Sequence, residues 1–214
     1  MESMPQDPVV TDDELVQKAR DGDYQAFESL VNRYERRVFS LAQRIVRRSH
    51  DAEEVVQQTF LSMLEHLHDF RGESAFSTWL LRIATNHALG LLRREAIRAT
   101  VPLSGGSHES EDSEGLPRPQ YIAEWHESPE EILSQKETRD LVEQALQQLD
   151  DKYRVVFVLR DIQGLSTSET AEILNLSEAN VKVRLLRARL MLREKLTELF
   201  GDPNRVFAPH AHDD

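Results

Sequence analysis

Six Lys and Arg residues crowd the segment from Glu178 to Lys195: Lys182, Arg184, Arg187, Arg189, Arg193 and Lys195. Only Glu178 and Glu194 oppose them, so the local balance is six minus two, or +4. The whole chain carries −12, with 26 Lys+Arg against 38 Asp+Glu. Cations concentrated on one helix suit phosphate groups. Arg adds a fork that bonds guanine bidentately, and Val can touch a thymine methyl. Nucleic acid is the ligand this chemistry points to. A solvated helix face is the plainer alternative, and the residues just upstream weigh against it.

Those residues, Ser166 to Leu176, have the pattern of a helix followed by a tight turn. Ser166 with Glu169 three positions on forms a capping box. Ala171 is small enough for a second helix to cross closely, and Ile173 and Leu174 point inward. Asn175 falls where the turn needs a left-handed backbone, which Asn tolerates best after Gly. Leu176 tucks under the turn and Ser177 caps the next helix. Val181 and Leu185, four apart, face back onto the first helix. The pattern predicts a helix-turn-helix, whose second helix enters the major groove by its N-terminal part. Asn180, Lys182, Val183, Arg184 and Arg187 are the residues expected near DNA. Lys182, Arg189 and Arg193 share one broad face at about 100° per residue.

Composition bounds the scaffold that must position this element. The chain has 214 residues, 39% of them hydrophobic, with eight Gly, eight Pro and no long alternating Val/Ile segment. An all-α fold follows. The absence of cysteine excludes disulfides and thiolate zinc sites. No apolar run reaches the roughly 18 residues of a membrane span, and the N-terminus lacks a signal pattern, so a soluble cytoplasmic protein is expected.

Periodicity divides the chain into two small helical domains. Residues 1–10 read as a tail. The first domain, 11–98, opens with a Thr11/Glu14 capping box and continues as a helix from about Tyr24 to Arg48. A third helix is expected to start at Asp51 with Glu54 in the box position, and a fourth runs from about Phe76 to Arg94. Residues 99–129 form a flexible acidic linker. Val101 to Glu131 holds eight acids and one Arg among Ser, Gly and Pro, a net −7. Ser128-Pro129-Glu130-Glu131 signals the start of the second domain, 130–200. Val155 to Leu159 is apolar enough for a strand, but a helix between Asp151 and Gly164 suits the domain better. Residues 201–214 are a second tail.

Three segments make a family resemblance specific: Asp51-Ala-Glu-Glu-Val-Val-Gln-Gln-Thr-Phe-Leu61, Phe70-Arg-Gly-Glu-Ser-Ala-Phe-Ser-Thr-Trp79 through Asn86, and Leu91-Leu-Arg-Arg94. With Leu146 through Arg189, they resemble the extracytoplasmic-function group of bacterial sigma factors, over about residues 11–98 and 130–197. The resemblance implies a transcription-initiation subunit and not an enzyme; no cofactor or metal is expected. It implies that Asp51, Glu54, Gln57 and Phe60 bind core RNA polymerase. Many relatives have an acid at the position of Gln58, which implies one weaker contact here. It places Phe70, Arg71, Gly72, Ser74, Phe76 and Asn86 at the minus-ten promoter element, and the helix-turn-helix at the minus-thirty-five element. Promoter DNA and an anti-sigma factor are the other implied partners, and the free protein is expected to be a monomer. The acidic linker is expected either to imitate RNA in a polymerase channel or to act as a solubilising tether.

Other readings remain open at the level of sequence. An operator-binding regulator would bind duplex without polymerase. Metal binding by His66/His68 or His210/His212 is disfavoured, because residues two apart cannot share a helix face and the second pair sits in a tail. Trp79 and Phe60 lie on apolar stripes and read as core. Phe70 and Phe76 flank a polar loop and fit core or DNA equally.

Overall fold

The computed structural model describes residues 10–99 and 135–200. The expected N-terminal tail up to residue 9, the acidic linker from residue 100, the helix start at Ser128 and the C-terminal tail lie outside the described residues. The described residues are all-α, without strands, and fall into two compact units, within Met1–Glu95 and within Ala96–Asp214. No helix among them is long and apolar enough to cross a membrane.

The first unit contains α1 (Asp12–Arg20), α2 (Tyr24–Val46), α3 (Ser49–His66) with a 3-10 turn at Leu67–Asp69, and all but the last turn of α4 (Phe76–Ala99). Thr11 and Glu14 form the capping box of α1 in both directions, at 3.3 and 3.1 Å. Asp23 caps α2 through the amides of Gln25 and Ala26. Arg33 binds Asp12 at 2.5 Å and Tyr34 donates to the same carboxylate, fastening α1 to α2. The core draws Leu30, Val38, Leu41 and Ile45 from α2, Val55 and Met63 from α3, and Leu80, Leu81 and Ala84 from α4. Burying each large aliphatic side chain contributes about 1.5–3 kcal/mol.

The start of α3 differs from expectation. It begins at Ser49, two residues before Asp51, after an N-cap Arg48 that makes no side-chain cap bond. The α2–α3 corner turns at Arg47, whose φ of 70° costs of order 1–3 kcal/mol for a residue with a Cβ. Asp51 therefore sits inside the first turn. There the helix dipole favours its charge, and it accepts from Arg48 Nε.

The second unit contains α5 (Gln135–Gln147), α6 (Asp151–Phe157), which widens into a π turn at Val158–Ile162, α7 (Thr167–Leu174) and α8 (Glu178–Phe200). The apolar run is helical: Val155, Val156, Val158 and Leu159 are all buried. The π turn is closed by Gln163 N–H on the Val158 carbonyl at 2.9 Å, and Gly164 leaves it with φ 75°. Arg154, fully buried, donates to the Leu149 carbonyl at 2.9 Å and to Asp151 at 2.7 Å, tying the α5–α6 turn together.

Candidate nucleic-acid interface

The helix-turn-helix forms from the residues its pattern named. Ser166 and Glu169 exchange bonds at 3.1 and 2.7 Å, fixing the start of α7. Asn175 ends that helix in the left-handed region, at φ 53° and ψ 48°. The Leu176 N–H then reaches back to the Ala171 carbonyl at 2.9 Å. Ser177 Oγ accepts from the Asn180 amide at 3.2 Å to start α8. Val181 and Leu185 are buried, which fixes how α8 is rotated about its axis.

That rotation separates the five expected DNA-facing residues. Asn180, Lys182 and Val183 are exposed and Arg184 is half-buried. Arg187 goes the other way. It is 5% exposed, and its Nη1 donates to the Tyr153 hydroxyl at 3.3 Å. Its placement among the outward residues is therefore corrected: it lies about 120° around α8 from Val181, and Tyr153 of α6, which packs against α8, covers it there. Leu186, absent from the expected set, is 46% exposed beside Val183 at 38%. Counting α8 positions from the buried Val181 would have revealed it. Arg189 makes two 2.8 Å bonds to Asp161 on the π turn. That bond holds its guanidinium above its ordinary pKa.

In the first unit, the loop between the 3-10 turn and α4 exposes Arg71, Gly72 and Ser74, and Gly72 adopts φ 72°. Asn86 is exposed on α4. The two flanking aromatics turn inward, taking the core side of the two readings the sequence left open. Phe70 is 7% and Phe76 2% exposed, and their ring centroids lie 5.8 Å apart, edge to face. Trp79 lies 5.2 Å from Phe70, and Tyr34 5.4 Å from Phe76. One aromatic cluster thus closes the loop at both ends. Burial and then the bond to Asp12 push the Tyr34 phenol up to about 12.

On α3, Glu54 and Gln57 are exposed and Phe60 is half-buried. Asp51 is largely covered and is engaged with Arg48, which also pairs with Glu95 of α4, so Asp51 is a structural carboxylate rather than part of a presented face. Glu54 pairs with Arg94 at 3.2 Å. Glu53, Val56 and Gln57 of α3 line a groove of about 530 Å³ with Glu35, Arg36 and Phe39 of α2. Leu61 and Leu64 stand exposed farther along α3. Ser62 Oγ and His87 Nε2 lie 2.9 Å apart and join α3 to α4. Burial, and then the Arg94 cation, lower the His87 pKa. His66 Nδ1 is turned to its own helix at the Ser62 carbonyl, and no metal-holding group of three or more such ligands occurs among the described residues.

Comparison with known proteins assigns both units. Residues 30–97 match Sigma-70 region 2, and residues 139–192 match Sigma-70 region 4. The ECF RNA polymerase sigma-E factor of Haemophilus influenzae is 33% identical over 89% of this chain and 97% of its own length. The chain belongs to the extracytoplasmic-function (ECF) sigma factors. The ECF sigma factor SigW of Bacillus subtilis is 34% identical over 86% of the chain and 96% of its own length. The sigma-E factor of Escherichia coli K12 is 36% identical over 89% and 96%. Among solved structures, CnrH in complex with the cytosolic domain of CnrY is 29% identical to this sigma factor. It covers 87% of this chain and 97% of that one, with a TM-score of 0.59. RpoE of Bartonella quintana, at 20% identity and a TM-score of 0.58 over 80% and 96%, shares the fold.

Proposed function

We propose that this sigma factor binds core RNA polymerase and directs promoter-specific initiation, with its second unit reading the minus-thirty-five element and its first opening and reading the minus-ten element. The observation that carries the reading is α8. Its inner side is pinned by Val181 and Leu185, and its start presents Asn180, Lys182, Val183 and Arg184 as a major-groove helix would. The minus-ten element is assigned to Arg71, Gly72, Ser74 and Asn86, with Phe70 and Phe76 as the rigid base of that loop. Amides and guanidinium groups bond base edges, and Gly72 lets a backbone approach. The polymerase surface is assigned to Glu54, Gln57 and Phe60 together with the α2–α3 groove.

An anti-sigma factor fits the same reading. The similar CnrH was solved bound to a second protein. Leu61 and Leu64 offer this chain apolar surface for such a partner. The linker, net −7 from Val101 to Glu131, is proposed to imitate RNA in a polymerase channel. Replacing its acids with Ser and Gln should change the abortive RNA pattern, and an unchanged pattern rejects the imitation. The central test is transcription from a genomic promoter library by core polymerase with and without the chain. Promoter-specific starts that need the chain are expected. Tight duplex binding by the chain alone, with no such starts, would make it an operator-binding regulator.

A further inference from the structure

The helix α1 lies ahead of residues 30–97, so the match to Sigma-70 region 2 does not cover it. It is nevertheless tied to both ends of the loop from Arg71 to Ala75. At the first end, Arg20 Nη2 donates to the His68 carbonyl at 3.2 Å, across 48 residues of sequence. His68 sits in the 3-10 turn that leads into Phe70. Helix ends leave carbonyls without an amide partner, and Arg20 supplies a donor to this one. At the second end, the Asp12 carboxylate accepts from the Tyr34 hydroxyl, and the Tyr34 ring meets Phe76 edge to face at 5.4 Å. Phe76 opens α4 directly after the loop. With its pKa pushed up to about 12 by burial and the bond to Asp12, the phenol stays protonated and donating at neutral pH.

Packing alone accounts for α1 being seated on α2, because Leu15 and Val16 are buried. Polar bonds at the surface add little to that hold. What these two ties add is position. Arg33 fixes the start of α1 through Asp12 at 2.5 Å and the Val10 carbonyl at 2.8 Å, which keeps Asp12 in place for Tyr34. Arg20, at the other end of α1, holds the 3-10 turn. One short helix therefore spans the two roots of the loop, and the exposed Arg71, Gly72 and Ser74 lie between those roots. Binding groups carried on a loop keep their geometry only as well as the residues beneath them do.

We propose that α1 positions the loop from Arg71 to Ala75 against the promoter strand, with Arg20 and Tyr34 as the positioning residues at its two roots. The inference rests on the reading that this loop handles the minus-ten element. Holoenzyme built from core polymerase and the full chain tests it, on a promoter that the wild type is first shown to use. The probe is a single-stranded oligonucleotide carrying that promoter's minus-ten sequence, competed against a scrambled one. Arg20→Met keeps the stem and removes the donor, and Tyr34→Phe keeps the ring on Phe76 and removes the hydroxyl. Each should cut the preference for the promoter strand several-fold, and the two together should cut it further, with core-polymerase affinity unchanged. A preference is a ratio, so a smaller folded fraction does not move it. In the free chain, amide exchange from Arg71 to Ala75 should quicken in both variants. Variants that lose urea stability yet keep the wild-type preference overturn the proposal, because the ties then only hold α1 down. Variants unchanged in both preference and exchange overturn it as well. If the wild-type holoenzyme itself shows no preference between the two strands, the minus-ten reading has failed, and that result is distinct from both.

Discussion

Arg187 is the residue at which sequence chemistry and geometry part most sharply, and Arg187→Ala separates them. As a base-contacting arginine, its loss would cost about 1–3 kcal/mol of DNA binding and nothing in folding. As placed, it is 5% exposed, so truncation removes nearly the whole stem from the interior. The two methylenes removed, Cγ and Cδ, at about 0.8 kcal/mol each amount to about 1.6 kcal/mol. The bond to Tyr153 is long, at 3.3 Å, and adds on the order of 0.5–1 kcal/mol. Relief from holding a cation away from water offsets part of this. The net expectation is a second unit less stable by about 2 kcal/mol. Urea denaturation followed by far-UV circular dichroism, with amide exchange on α6 and α8 to locate the loss, reads it directly. Tyr153→Phe should couple to Arg187→Ala in a double-mutant cycle by several tenths of a kcal/mol or more. Unchanged stability together with lost upstream promoter recognition would refute the inward assignment.

Other positions give sharper signs at lower cost. Ser166→Ala removes the capping box and should destabilise the second unit by about 1 kcal/mol, measured as a shift in urea midpoint. At Asn175, φ 53° predicts that Gly is tolerated or slightly stabilising, whereas a β-branched Val costs about 1–2 kcal/mol; equal effects would argue against the turn conformation. His87 is held below its ordinary 6.5 by burial and then by Arg94, so the folded state favours the neutral ring. Below about pH 6.5 the unfolded chain binds the extra proton. The stabilisation is therefore complete above that pH and is lost as pH falls through it. Trp79 fluorescence in a Trp125→Phe background should show this loss, and His87→Gln should abolish it.

Local signals were legible wherever one residue type solves one backbone problem. Thr11 with Glu14, Ser166 with Glu169, and Asn175 each stand where the fold needs a donor satisfied or a left-handed turn made. The two-unit helical plan followed from apolar spacing. What spacing leaves open is the direction in which a mixed face turns. Phe70 and Phe76 border a polar loop in sequence, yet Phe76 packs against Tyr34 of α2, a partner that no local pattern contains. Leu64 was expected on the apolar stripe of α3 but stands exposed, because Val55, Thr59 and Met63 take the buried positions. The start of α3 was missed because Asp51 has the composition of a cap while the chain uses it inside the first turn, bound to Arg48. The π turn at Val158–Ile162 depends on one extra residue per turn, a detail to which apolar periodicity is blind.

The pairing of Arg189 with Asp161 changes what the cationic count on α8 means. Counterion release is set by the charges that reach phosphate, at about 0.9 ion per contact. Six Lys and Arg would give a slope of about −5 in log affinity against log salt if all were delivered. Arg187 is sealed inside and Arg189 is already neutralised by two 2.8 Å bonds, leaving at most four cations and a slope no steeper than about −3.6. A salt titration of duplex binding by the second unit's surface should therefore look shallow for so basic a helix. A steeper slope would mean that DNA pulls Arg189 away from the π turn. In ionic terms the fold uses part of its own positive charge internally, so fewer of the charges on α8 are left for phosphate.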